Sequence, residues 1–298
     1  ILLWYPRMIS ENLFRQVSED WSGNLIRLAM YSEQYCENDD LRSRSLKLMR
    51  KGIDAAIAAD MYVLVDWHIM NDSDPNEHKE EAKAFFDLIA SEYKDSPNLI
   101  FEICNEPNGE TTWADVRKYA EEVIPVIRSH IPDALILVGT PEFDRNLGDA
   151  VLRPLHTENI MYVLHFYAAT HAGGLREELT TALDKGLPVF VSECGISEAN
   201  GNGTLDFASA ADWFALLNEK KISYAVWNFS DKEESSAFFS YYFNTEGEIR
   251  DEDLTLCGAW VRELIRGKDP KTIPAPAPQV KQTKVDQVMA WISRSLGE

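Results

Sequence analysis

A (β/α)8 TIM barrel is the fold class that this sequence predicts, and three observations predict it. Seven strand-length runs recur along 298 residues, each followed by a segment of helical spacing. The runs read as nearly continuous Val, Ile, Leu and Phe, which suits parallel strands covered on both sides. Chemistry-bearing side chains fall at the C-terminal ends of six of them; an open doubly wound sheet gathers such groups at a single crevice instead.

Taken in order, the expected strands are residues 24–30, 62–68, 99–106, 134–140, 160–167, 188–195 and 222–229. The segments with helical spacing are 40–59, 79–93, 112–130, 144–152, 175–183, 206–220 and 257–266. Thr112 and Asp206 are placed as N-caps, because a short side-chain oxygen there can accept from the first free backbone N–H groups. An eighth strand is needed to close such a barrel, and residues 1–5 look like the end of one. The expectation is therefore a first strand truncated at the N-terminus. Residues 268–279 hold four prolines and read as an extended linker. Val285, Val288, Met289, Ile292 and Leu296 then give helical spacing. The expected organisation is a barrel over 1–267 and a Pro-rich linker with a short helix over 268–298, the helix docking on the barrel or opening an additional domain.

Length and composition bound the function. At 45% apolar, the chain can bury one large core. The 49 acidic against 29 basic residues, net −20, oppose binding to nucleic acid or an anionic membrane surface. No run approaches a membrane span, and the sequence begins mid-pattern at Ile1 without a charged leader-type stretch, so that Ile1 is not expected to be a natural start. The four cysteines have no CxxC spacing, and neither a disulfide framework nor a zinc site is expected.

Two acids stand out. Glu106 ends the run Leu-Ile-Phe-Glu-Ile-Cys-Asn-Glu-Pro and Glu193 the run Pro-Val-Phe-Val-Ser-Glu-Cys-Gly, each where a buried strand gives way to a loop. Carboxylates at strand ends can divide the breaking of a glycosidic bond, one protonating the leaving oxygen while the other attacks the sugar or activates water. Strand parity puts Glu102, Cys104 and Glu106 on one face, as it does Asp66 with His68, His165 with Tyr167, and Ala225 with Trp227. These faces should point inward, with Arg27, Asp66 and Glu102 forming a buried polar layer under the site.

In that order, Asp66-Trp67-His68, Asn105-Glu106-Pro107, His165-Phe166-Tyr167, Ser192-Glu193 and Trp227-Asn228 resemble glycoside hydrolase family 5, and within it the bacterial endoglucanase (cellulase) branch. The resemblance implies Glu106 as acid/base and Glu193 as nucleophile of a retaining mechanism, with carboxyl groups about 5 to 5.5 Å apart. Glu106 would then need a raised pKa, and Arg27 would keep Glu193 ionised. It implies Asn105 as a contact to the sugar 2-hydroxyl, His68 and His165 as sugar-binding and carboxylate-orienting groups, and Tyr167 as a donor to the nucleophile. Trp227 and Trp4 would stack on pyranose faces, and Lys232 and Glu234 would grip hydroxyls, although a charged loop is also what a solvated surface presents. Neither a metal nor another cofactor is implied, and the histidines show no His-x-x-x-His pair.

The chain departs from the family pattern at Cys194, where many relatives carry an aromatic and a roomier wall would follow, and at Phe143, where relatives often place tryptophan. The expected substrate is a β-linked polysaccharide, cellulose or a related β-glucan, and an insoluble polymer implies a secreted enzyme. Mannan, mixed-linkage glucan and xyloglucan are alternative substrates within the family; an impaired carbohydrate-binding barrel is the non-enzymatic alternative. No Gly-x-Ser-x-Gly elbow supports a serine hydrolase.

Overall fold

The computed structural model describes residues 5–277. Trp4, most of the expected 1–5 strand and the C-terminal helix lie outside the described residues. Seven parallel strands follow one another around the sheet in sequence order: β1 Leu25–Tyr31, β2 Tyr62–His68, β3 Leu99–Glu102, β4 Ile136–Val138, β5 Ile160–Tyr167, β6 Val189–Gly195 and β7 Tyr224–Val226. Among the described residues β1 and β7 face one another without a hydrogen-bonded ladder. The sheet thus forms a nearly closed barrel. A cavity of about 910 Å³ follows this seam, lined from Gly23 and Asn24 at the strand starts to Arg27, Glu193 and Trp227 at the top.

The helices are α1 Glu11–Trp21, α2 Ser32–Glu37, α3 Asp39–Ala58, α4 Lys79–Glu92, α5 Trp113–Arg128, the short turn α6 Pro141–Asp144, α7 Leu147–Leu152, α8 Gly173–Asp184, α9 Phe207–Lys220 and α10 Leu256–Ile265. Seven match the predicted segments, while α1, α2 and α6 were not expected as separate elements. Thr112 caps α5 by accepting from Asp115 N, with Asp115 bonding back to Thr112 N, and Asp206 accepts from Ser209 N at the start of α9.

Apolar residues divide into two cores. The large one lies between strands and helices. The small one fills the bottom of the barrel with Leu64, Ile100, Leu137, Val163 and Phe190, one from each of β2 to β6. Two residues further along β2 and β3 the inward position turns polar, giving Asp66 and Glu102, with His68 next on β2, above that plug.

Two sequence expectations need correcting. β3 ends at Glu102, so Cys104 and Glu106 are not on its inward face: Cys104 packs in the outer core, and Glu106 sits in the following loop at φ +43°. Cys194 also joins the outer core, its Sγ on Ala225 O, and so cannot form a wall of the cleft.

Strand β6 carries a bulge that strict alternation would not show. Val163 to His165 on β5 spans the same rise as Phe190 to Glu193 on β6, and Tyr224 to Val226 on β7 matches Val191 to Cys194. Four residues of β6 thus span the length of three on either neighbour. The extra residue lets consecutive Ser192 and Glu193 both reach the barrel interior.

Candidate active site

Arg27, from β1, is the hub of the polar layer. Its Nε donates to Glu102 Oε2 at 2.7 Å, Nη2 to Glu102 Oε1 at 3.0 Å and to Asn105 Oδ1 at 2.8 Å, and Nη1 to Glu193 Oε2 at 2.8 Å. Nη2 also lies 2.9 Å from Asp66 Oδ2. Burial works against its charge, but Asp66, Glu102 and Glu193 outweigh that and raise its pKa. Asp66, also buried, is pushed up to about 7 by desolvation against the pull of Arg27.

Glu193 accepts on both oxygens, from Arg27 and from Tyr167 Oη at 2.6 Å, an arrangement suited to a carboxylate. Tyr167 reaches it because the facing position is Gly195: a Cβ there would stand 2.5 Å from the phenol ring.

Glu106 meets the opposite environment. Desolvation lifts its pKa from 4.5 to about 7, against the attraction of Arg27 and Arg145. Its Oε1 lies 3.0 Å from His165 Nδ1, and the other ring nitrogen lies 2.9 Å from Ser192 Oγ. Ser192 spends its only proton on Glu102 Oε1 at 2.8 Å, and Glu102 already accepts from Arg27 on both oxygens. Ser192 must therefore accept from His165 Nε2–H. Burial holds the His165 pKa down at about 4, so the neutral ring offers a lone pair at Nδ1. The group that satisfies that lone pair is the O–H of protonated Glu106. One carboxylate oxygen of Glu106 and one of Glu193 stand within 4.8 Å of each other.

The loop bearing Glu106 is pinned from beneath. Asp144 Oδ2 accepts from Glu106 N at 2.8 Å, and its other oxygen accepts from Thr140 N. Asp144 closes the left-handed turn of Glu142, Phe143 and Asp144, at φ +60°, +62° and +56°. Gly139 leaves the room for this, since a Cβ there would fall 2.8 Å from Asp144 Oδ1 and 2.4 Å from Cys104 O.

The structure brings most of the remaining predicted residues to the same mouth. His68 Nδ1 is 2.7 Å from Asp66 Oδ2, and burial keeps its pKa well below the usual imidazole value, leaving Nε2 as an acceptor. Its ring lies parallel to Trp227, centroids 6.0 Å apart. Asn105 gives its oxygen to Arg27 and one N–H to Ile69 O at 3.0 Å, so one amide hydrogen remains. Lys232 Nζ pairs with Glu234 Oε2 at 2.6 Å, while Glu234 Oε1 accepts from Asn228 at 2.7 Å; this pair anchors the loop after β7. Residue-by-residue reading missed Ser192 as the group fixing the His165 tautomer, although it lies inside the Ser-Glu motif. It also missed Tyr31, whose ring packs against His68 with centroids 4.4 Å apart and planes tilted by 58°, together with Asp144 and Arg145. Asp144 ends, and Arg145 follows, a left-handed turn of non-glycine residues, which has no sequence signature.

Residues 2–233 match the family model of cellulase, glycosyl hydrolase family 5. Endoglucanase A of Butyrivibrio fibrisolvens is 41% identical over 97% of this chain and 66% of its own length. An endoglucanase of Clostridium saccharobutylicum is 40% identical over 90% of the chain and 60% of its own length. The chain thus spans about two thirds or less of these curated relatives. Among solved structures, the catalytic domain of Thermobifida fusca endoglucanase Cel5A in complex with cellotetraose is similar at a TM-score of 0.84 and 35% identity, covering 89% of each chain.

Proposed function

The chain belongs to glycosyl hydrolase family 5, and on that premise we propose that it is a retaining endo-β-1,4-glucanase that cuts internal bonds of cellulose or a related β-glucan by double displacement. The observation that carries this reading is the approach of the Glu106 and Glu193 carboxyl oxygens to within 4.8 Å, with Glu106 pushed towards its protonated form by burial and Glu193 accepting from Arg27 and Tyr167 on its two oxygens. A gap of that size admits direct attack on a sugar carbon but leaves no place for a water between acid and sugar, as inversion requires.

In the first step Glu106 gives its proton to the glycosidic oxygen while a Glu193 oxygen bonds to the anomeric carbon, and the shortened chain leaves as an alcohol. Glu106, now ionised, takes a proton from water; the hydroxide oxygen bonds to the same carbon, and Glu193 departs as the carboxylate. Arg27 and Tyr167 stabilise Glu193 whenever it is free. The remaining amide hydrogen of Asn105 serves the 2-hydroxyl, a contact that strengthens as positive charge develops on the sugar ring. Trp227 offers a face for pyranose stacking and His68 Nε2 accepts from a hydroxyl; exposed Phe143, next to the Glu106 loop, supplies the acceptor-side surface.

Cellotetraose in the Cel5A neighbour supports a β-1,4-glucan substrate. Because a polymer cannot enter a cell, the enzyme acts outside it; no helix among the described residues is long and apolar enough to cross a membrane. The test is reducing-sugar release from carboxymethyl cellulose, barley β-glucan, xyloglucan and mannan, with Glu193→Gln as control. Highest activity on carboxymethyl cellulose, abolished by the substitution, is expected. Highest activity on mannan would overturn the substrate, and binding without turnover in the unaltered protein would overturn catalysis.

A further inference from the structure

Away from the cleft, three side chains of metal-binding type converge. Cys36 Sγ, one ring nitrogen of His78 and one carboxylate oxygen of Glu81 all lie within 4.8 Å of one another. Cys36 lies on α2, while His78 is the N-cap residue of α4 and Glu81 sits on its first turn. Three positions apart at a helix start, His78 and Glu81 share a face. Among the described residues none of the three side chains has a hydrogen bond or ion pair to another group. The helices are held in place independently of any ligand: Tyr35, beside Cys36, packs edge-on to Phe85 of α4 at 5.8 Å and to Trp67 of β2 at 5.3 Å. Arg42, a cation close to Cys36, is committed to Asp39 and to the Tyr35 ring.

We propose that Cys36, His78 and Glu81 form a zinc site that binds one Zn²⁺ through thiolate, imidazole and carboxylate, with a fourth position open to water. The donor set selects the metal class, since calcium and magnesium take oxygen ligands whereas a thiolate with an imidazole suits zinc. One thiolate and one carboxylate neutralise the ion. Tetrahedral zinc draws its ligand atoms to about 3.3–3.8 Å apart, an adjustment of about an ångström within reach of rotamer changes on partly exposed side chains. The cysteine spacing could not show such a site because its ligands come from α2 and the start of α4, separated along the chain by α3 and β2.

Zinc here would staple the connection after β1 to the connection after β2. The second of these holds Asp72, bonded to Ser32 Oγ and to Met70 N, and Ile69, whose carbonyl accepts from Asn105. The site would therefore stiffen the rim beside Asn105 and His68 without touching the reacting groups.

The full chain is titrated with Co²⁺, then Zn²⁺. One cobalt per chain is expected, with the near-ultraviolet charge-transfer band of a cobalt–thiolate bond, displaced by one equivalent of zinc. The carboxylate–imidazole cluster of the cleft contains no sulfur and cannot give that band. Cys36→Ser should abolish it while hydrolysis of carboxymethyl cellulose is unchanged, and His78→Ala and Glu81→Gln should each weaken binding at least about tenfold. Zinc at a hundredfold excess over its Kd should raise the melting temperature by about 5 °C in the unaltered chain and not in Cys36→Ser. Absence of the band, its survival in Cys36→Ser, or indifference to both His78→Ala and Glu81→Gln would overturn the site.

Discussion

Replacing Glu106 by Gln separates the acid/base reading from every other use of this residue. The amide is isosteric and can still donate to His165 Nδ1, so the relay through Ser192 and Glu102 should stand; what it cannot do is release a proton. With the Glu106 pKa at about 7, the protonated fraction falls from about one half at pH 7 to about one in a hundred at pH 9, and kcat/KM of the unaltered enzyme should fall about fiftyfold over that range. In Glu106→Gln that alkaline limb should vanish and turnover of the polysaccharide should drop by about 10² to 10⁴, equivalent to about 3–5 kcal/mol of barrier. An aryl cellobioside with a dinitrophenolate leaving group needs no protonation, so the variant should release one rapid equivalent of phenolate and then stall, for want of a base to activate water. The assay is a pH series of initial rates on both substrates. Asp66 supplies the internal control because its pKa is also about 7. If the limb near pH 7 persists in Glu106→Gln and disappears in Asp66→Asn, the limb reports the buried Asp66–Arg27–His68 cluster and the acid has been misassigned.

The same raised pKa has a stability consequence. Glu106 binds its proton more tightly folded than unfolded, so the native state loses stability as pH rises from about 4.5 to about 7, by about 1–3 kcal/mol for a side chain about a quarter exposed. The melting temperature of Glu106→Gln relative to the unaltered chain should climb through that window in calorimetry; a constant difference would contradict the buried acid. His165 behaves in the opposite sense: its folded pKa of about 4 lies below the ordinary 6.5, so its share of stability is present above pH 6.5 and lost as pH falls towards 4. His165→Gln should flatten that acid decline. Arg27→Ala leaves Glu102, Asp66 and Glu193 without their shared cation and should cost about 3–5 kcal/mol in denaturant unfolding, whereas a loss under 1 kcal/mol would mean that water reaches the layer. Gly195→Ala drives a methyl into the Tyr167 ring and should reduce kcat about 10- to 100-fold through loss of the Tyr167–Glu193 bond; unchanged kcat would show that this bond is dispensable.

The sequence alone determined the order of seven strands, the helices that cover them, the two capped helix starts and the shared inward face of Asp66 and His68 on β2. These are local or periodic properties, since apolar runs specify buried strands and a two-residue repeat specifies a face. It also marked Glu106 and Glu193, because motif order along the chain is a one-dimensional fact. Only the tertiary structure decided how they meet. The β6 bulge that turns both Ser192 and Glu193 inward, the left-handed turn that presents Asp144 to the Glu106 backbone, and the hydrogen-bond count that settles the His165 tautomer each depend on groups dozens of residues away. A sequence pattern records which face a regular strand shows, but not where that regularity breaks, and catalysis in this barrel is built where it breaks.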